Sequence, residues 1–137
     1  MKKRIVILLA AVALLGACET MRNRNAGEDF QESSKTYNRM IRWDEMETAQ
    51  WAFPSEELRE EFGRRVSSAK GVKISDYRVR STVCSPEKGE AIVIVDFEYY
   101  REPSYKVKTV RDTQKWKYVE ERGKKVWRLT SLLPEFP

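Results

Sequence analysis

Apolar residues recur along this chain in three rhythms, and each predicts a different kind of element. From Ile5 to Leu15 they form an unbroken run of eleven, about half of the ~20 that a bilayer-spanning helix needs. From Phe30 they return at helical spacing: Phe30, Tyr37 and Ile41 are separated by seven and four residues, with Met40 on the same side, which marks one face of a helix. From Val72 onward the period becomes two. Tyr77, Val79, Ser81 and Val83 alternate with polar residues, and Ala91 to Tyr100 is rich in β-branched and aromatic side chains, as half-buried strands require.

The boundaries of these elements carry their own signals. Asp29-Phe30-Gln31-Glu32 and Asp44-Glu45-Met46-Glu47 each place an acid three residues before a Glu, an Asp version of the capping box. They predict two helix starts, the first helix ending near Trp43 and the second carrying Met46, Ala49 and Trp51. Were the first helix to run on to Phe53, Asp44 would fall inside its apolar stripe as a buried carboxylate and a candidate base; a cap is the simpler account. A third helix is expected from Ser55, with Glu56 and Glu57 in its first turn, Leu58 and Phe62 one turn apart and Gly71 past its end. Strands are expected over Tyr77–Cys84, Ala91–Tyr100, Tyr105–Val119 and Lys125–Leu133, joined by Pro- and Gly-bearing turns at 85–89, 101–104 and 121–124. Connections this short favour antiparallel neighbours. The expected fold class is α+β, N-terminal helices packed on a curved four-stranded antiparallel sheet.

Turn length sets the register, and the register sorts side chains by face. A four-residue turn at Arg101–Ser104 pairs Tyr99 with Lys106, Val95 with Val110, Val93 with Asp112 and Ala91 with Gln114. A turn at Glu121–Lys124 sets Trp116 opposite Leu129, Tyr118 opposite Trp127 and Gln114 opposite Ser131. One face then collects Val93, Val95, Phe97, Tyr99, Val110, Trp116, Tyr118, Trp127 and Leu129, with Asp112 and Gln114 as its polar exceptions. Asp112, Gln114, Tyr99, Trp116, Tyr118 and Trp127 are the candidate ligand pocket. A carboxylate in that setting either acts as an acid or base with a raised pKa or satisfies polar groups around it. On the other face Asp96 and Glu98 alternate with Ile92, Ile94 and Tyr100, beside Arg111, Lys115 and Lys117, a pattern that cross-strand ion pairing explains. Ile92, Ile94, Tyr100 and Tyr105, with Val107, are the candidate interaction face, for a protein partner or a second copy of the chain.

Composition narrows the chemistry. The chain has no His and two Cys, so Ser-His and Cys-His nucleophiles are excluded and a zinc site would have to be built largely from carboxylates, which is unusual for that ion. No metal, cofactor or catalytic residue is expected. The 26 basic and 21 acidic residues describe the whole chain; without Lys2, Lys3 and Arg4 the balance is 23 minus 21, or +2. Nucleic acid is not an expected partner at so neutral a balance.

Those three cations matter because they open a recognisable segment. Met1-Lys2-Lys3-Arg4, the apolar run and then Leu15-Gly16-Ala17-Cys18 resemble a secretory signal ending in the lipobox of bacterial lipoproteins. The resemblance implies a signal peptide over 1–17, removed before Cys18, with Cys18 diacylated on sulfur and acylated on its new amino terminus. Two or three acyl chains would hold the protein stably on a membrane. Residues 18–28, polar with Arg22, Asn23, Arg24, Asn25 and Gly27, are expected to be a tether and 29–137 the domain; as coil, the tether spans ~17 Å, and ~35 Å fully extended. The resemblance to lipoproteins of Gram-negative bacteria, in which Asp after the cysteine favours the inner membrane, implies with Glu19 the outer membrane, facing the periplasm. With Cys18 lipidated no intrachain disulfide remains, and Cys84 is expected as a small buried residue of its strand.

Tyr37-Asn38-Arg39-Met40-Ile41-Arg42-Trp43-Asp44, then Ala49, Trp51 and Phe53, then a helix and four strands, resemble the NTF2-like (SnoaL-like) cone superfamily, and the run Trp127 to Phe136 resembles lipoproteins of proteobacteria. The resemblance implies a site on the concave face of the sheet. Cones of this kind include isomerases, dehydratases, ligand carriers and structural modules, so the fold does not select among them; their enzymes pair an acid or base with a second group, often His or Tyr. The expected function is a membrane-anchored periplasmic lipoprotein acting as a non-catalytic binding or assembly module of the envelope. The alternatives are a carrier or sensor of a small apolar ligand in the cone, and an enzyme using Asp112.

Overall fold

The computed structural model describes residues 2–137, with side chains described from Cys18 onward; the side chains of the expected signal segment, 1–17, lie outside the described residues. Helix α1 spans Lys2–Arg42 and helix α2 spans Met46–Ala52. A 3₁₀ turn, Glu56–Leu58, leads into α3, Arg59–Ser68. Four strands come next, β1 (Val72–Ser85), β2 (Glu90–Arg101), β3 (Lys108–Glu121) and β4 (Lys124–Leu129). They form an open antiparallel meander in the order β1-β2-β3-β4, with the helices packed on one face. The expected α+β class is the observed one.

Three expectations about the helices change. Asp29 starts nothing: α1 runs straight through it, and residues 19–28, expected as coil, are helical. Packing begins at Ala26, 3% exposed, and continues through Phe30, Tyr37 and Ile41, each 0% exposed. Burial of that stripe overrides the poor local propensity of Asn23, Asn25 and Gly27, as tertiary contacts usually do. Asp44 also has a different role. It is the residue after the C-cap of α1, in the left-handed region at φ 62°. The N–H of Glu45 donates to the carbonyl of Met40 at 2.9 Å and that of Asp44 to Ile41 at 3.4 Å, the pairing of a Schellman stop. Asp tolerates this conformation better than most residues, and its exposed carboxylate meets Lys73 Nζ at 3.1 Å. Neither an N-cap nor a buried base, Asp44 is where α1 ends. The third helical start does fall at Ser55, and α3 lies so close to α2 that a Cβ on Gly63 would sit 2.3 Å from Gln50 Nε2.

Strands β2 to β4 keep their predicted faces, but the pairing of β2 with β3 shifts its register. Tyr99 pairs with Lys108, Val95 with Asp112, Val93 with Gln114 and Ala91 with Trp116, two residues beyond the expectation, because the β2–β3 connection covers 102–107 rather than a four-residue turn. A shift of two preserves which side chains share a face. Val93, Val95, Phe97, Tyr99, Trp116, Trp127 and Leu129 are accordingly all buried, with Asp112 and Gln114 among them. The β3–β4 hairpin has the expected register, Trp116 with Leu129 and Tyr118 with Trp127. Its turn, Arg122-Gly123, has φ of 52° and 78°, the doubly left-handed geometry that fits the twist of a hairpin. β4 stops at Leu129, short of the expected Leu133, and Gln114 does not pair with Ser131, whose hydroxyl instead accepts the Lys115 N–H at 3.0 Å.

The two edges of the sheet are closed off differently. On β4, the Leu129 N–H donates to Phe53 and the Leu129 carbonyl accepts from Ser55, so the segment before α3 covers that edge. β1 has register breaks between Ile74 and Asp76 and between Val79 and Ser81, two bulges of the kind that discourage pairing with another chain. The second break also corrects the expected alternation. Tyr77 and Val79 face the helices opposite Phe97 and Val95, whereas Ser81 and Val83, opposite Ile94 and Ile92, are turned to the outer face. Beyond β4 the tail folds back over the far end of the sheet. Leu133 and Phe136 are buried, and Arg65 and Arg101 donate to the carbonyls of Leu133 and Phe136 at 3.0 Å each.

Candidate functional site

The inner face of the sheet brings together the polar pair that sequence singles out and a third group that it does not. Asp112 and Gln114, two apart on β3, point at α1, where Asn38 lies on the buried stripe one residue from Tyr37. Gln114 Nε2 donates to Asn38 Oδ1 at 2.7 Å and to Asp112 Oδ2 at 3.0 Å. Asn38 Nδ2 donates back to Gln114 Oε1 at 3.3 Å and to the Ser34 carbonyl at 2.9 Å. Asn38, Gln114 and Asp112 are 1%, 0% and 4% exposed, so helix and sheet are stitched together by side-chain amides inside the core. Asn38 was legible in principle: it stands eight residues after Phe30 and three before Ile41, a polar residue on an apolar stripe.

Burial pushes the Asp112 carboxyl up to about 6, against the lowering effect of its bond from Gln114. Burial, with the Asp112 charge adding, also holds the Tyr37 hydroxyl neutral. Tyr37 Oη and Trp116 Nε1 are buried without a hydrogen-bond partner. A lone hydroxyl of this sort loses its bonds to water and gains nothing in exchange. Tyr37→Phe is therefore expected to leave stability unchanged or raise it by up to about 1 kcal/mol, read from urea unfolding; a loss above about 1 kcal/mol would mean that the hydroxyl has a partner in solution.

The other members of the expected pocket are spread along the face. Trp116 is enclosed edge-on by Phe30, Tyr37 and Phe53, with ring centroids 6.0, 5.7 and 6.0 Å away. Tyr99 lies at the far end, its ring 5.2 Å from Phe136 and its hydroxyl donating to the Pro137 carbonyl at 2.5 Å. Tyr118 and Trp127 stack at 4.9 Å near the beginning of the packed part of α1, with Lys125 Nζ 5.7 Å from the Tyr118 ring. These two border a surface cleft of about 290 Å³, shared with Asp29, Glu32 and Phe53. A smaller, more apolar groove of about 170 Å³ runs between α1 and β1, lined by Phe30, Asn38, Tyr77 and Val79. The six residues thus form one polar knot and two separate aromatic clusters, and Asp112, Gln114, Tyr99 and Trp116 line neither cleft.

On the outer face a charged group interrupts the expected apolar patch. Asp96 accepts from Arg80 Nε at 2.8 Å and from Arg111 Nε and a terminal guanidinium nitrogen at 2.8 and 3.0 Å. These bonds hold its carboxyl well below the usual carboxylate range. Ile92 and Ile94, with Val83, lie on one side of this triad, and Tyr100 and Tyr105, with ring centroids 5.7 Å apart, on the other. Ile92 and Tyr100 are eight residues apart on one strand, ~27 Å, so the candidate interaction face is two small patches with an ionic bridge between them.

The two thiols differ. Cys18 is exposed on α1 and Cys84 is half-buried, opposite Ala91 on the inner side of β1. Burial, with Glu87 adding, raises the Cys84 pKa, which leaves less reactive thiolate at neutral pH. Among the described residues no group of three or more Cys, Asp or Glu could hold a metal ion, and no helix is long and apolar enough to cross a membrane. No family of known sequence pattern and no curated protein matches the chain.

Proposed function

We propose that this chain is a lipoprotein of the bacterial envelope, anchored through lipid on Cys18 and facing the periplasm, with the outer membrane as the preferred address. In this reading its NTF2-like domain is a non-catalytic module for binding or assembly. The observation that carries the reading is the continuity of α1, which takes the chain from Cys18 into the hydrophobic core without a break. From Cys18 to Ala26 the helix rises ~12 Å. An anchor joined to its domain in this way holds the domain near one height above the lipid, which suits a protein that meets partners at the membrane. The Asp112 knot supports the non-catalytic part: Asp112 accepts from Gln114, which is itself tied to Asn38, whereas a general acid or base needs substrate within ~3 Å of the carboxyl.

The test is the mass of the protein recovered from Gram-negative membranes after expression of the full chain. The expected product begins at Cys18 and carries three acyl chains, and Cys18→Ser is expected to keep its first 17 residues and leave the membrane-anchored pool. A wild-type product with an unmodified Cys18 would overturn the reading. The carrier reading draws on the cleft beside Tyr118 and Trp127; native mass spectrometry of the same preparation would favour it if a small molecule stayed bound.

A further inference from the structure

We propose that the β3–β4 hairpin is a second membrane contact, a cationic tip held against anionic lipid headgroups; this rests on the reading of Cys18 as the lipid anchor. The support comes from the direction of α1 across the sheet. The Ala26 carbonyl accepts from Trp127 Nε1 at 2.8 Å, Phe30 touches Trp127 and Trp116, Tyr37 touches Trp116, and Asn38 bonds Gln114. As α1 advances, β3 recedes, so the two run antiparallel. Traced backward from Ala26, α1 reaches Cys18 in eight residues, ~12 Å. Traced forward from Tyr118, which pairs with Trp127, β3 reaches Arg122 in four residues, ~13 Å in the same direction. The hairpin tip and the lipid attachment point therefore lie at about the same level.

The tip has the charge for that position. Arg122, Lys124 and Lys125 are exposed, and among the described residues none of them forms an ion pair. Glu121, opposite Lys124, is engaged by Arg128 at 2.5 Å, and Glu120, opposite Lys125, is among the described residues the hairpin's one carboxylate without an ion pair. Asp29 and Glu32 of α1 lie across the cleft from Lys125, so Arg122 and Lys124 at the turn are the cations farthest from those acids. Attraction of Lys and Arg to an anionic leaflet decays within a Debye length, ~8 Å at physiological salt, so height above the lipid decides whether such a cluster acts. A lipid at Cys18 sets that height. Together the two contacts would orient the domain, with the 102–107 connection, α3 and the C-terminal tail turned away from the membrane.

The experiment uses the lipidated protein on vesicles of phosphatidylcholine, alone or mixed with phosphatidylglycerol, and tracks tryptic cleavage after Arg122, Lys124 and Lys125 by mass spectrometry. Cleavage after Lys106, exposed in the connection at the opposite end, is the internal control. Hairpin cleavage is expected to slow roughly tenfold on the anionic vesicles, to recover in high salt, and to be insensitive to lipid composition in a K124E/K125E variant, with Lys106 unaffected throughout. Equal hairpin cleavage on both vesicle types, with the protein still vesicle-bound, overturns this inference and leaves the anchor standing. A protein that floats with neither vesicle type overturns the anchor and the inference with it.

Discussion

Phe30→Ala is expected to cost the folded domain about 3–5 kcal/mol, a large share of the 5–15 kcal/mol that domains of this size possess. The side chain is 0% exposed and its ring meets Trp127 at 5.0 Å and Trp116 at 6.0 Å. Truncation would remove apolar burial and two aromatic contacts at once, and the rings around it are too large to close over the space. Met21→Ala, nine residues earlier on the same helix and 65% exposed, is the contrast, with an expected change within about 0.5 kcal/mol. Urea midpoints of the two variants would locate where α1 passes from a free helix to a docked one. A loss below about 1 kcal/mol for Phe30→Ala would mean that α1 docks only from Tyr37 onward, and the shared level of Cys18 and the hairpin would lose its footing.

Why so much of the sheet was legible, and so little of α1's beginning, depends on the information each pattern records. Period two records faces, and faces survive any register error of two, so the pattern puts Asp112 and Gln114 on the inner side even where it pairs them with the wrong residues of β2. A bulge leaves no such trace. Nothing in Tyr77 to Cys84 announces that Arg80 is the extra residue, yet the break there turns Val83 outward and positions Arg80 beside Asp96. The acid-x-x-Glu pattern at Asp29 and Asp44 records only that a cap is chemically available. At Asp29 the helix passes through because Ala26 and Phe30 are buried against Trp127, a contact spanning about a hundred residues. At Asp44 the same acid serves a helix end because the chain must turn there.

The site shows the same division. That Asp112 would be buried could be read from its neighbours on β3; its bonding partners could not, because Asn38 comes from a helix 74 residues earlier. Asn38 also changes the meaning of the pair. Without it, an Asp and a Gln among aromatics suggest a cavity with two polar handles. With it, Gln114 and Asn38 pair their amides, Gln114 also donates to one oxygen of Asp112, and the residues around them fill the concave face.

Replacing the carboxylate at the end of that knot tests its structural role through the dependence of stability on pH. The Asp112 carboxyl rises from an ordinary 3.8 to about 6 on folding, so between these values the folded state binds more protons than the unfolded one. Stability then falls as pH rises through that window, by about 3 kcal/mol in all by pH 7. Asp96 has the opposite sign: its depressed pKa supplies stability that is present above about pH 4 and disappears only in stronger acid. Asp112→Asn keeps the shape and the oxygen that accepts from Gln114 while removing the charge. The variant is expected to match the wild type near pH 4 and to exceed it by up to about 3 kcal/mol at pH 7, with the gap between the two curves opening between pH 4 and 6. Parallel curves across that range would show that Asp112 does not titrate there. A variant less stable than the wild type at pH 7 would show that the charged form has a partner strong enough to outweigh its burial, and would return Asp112 to consideration as a working acid or base.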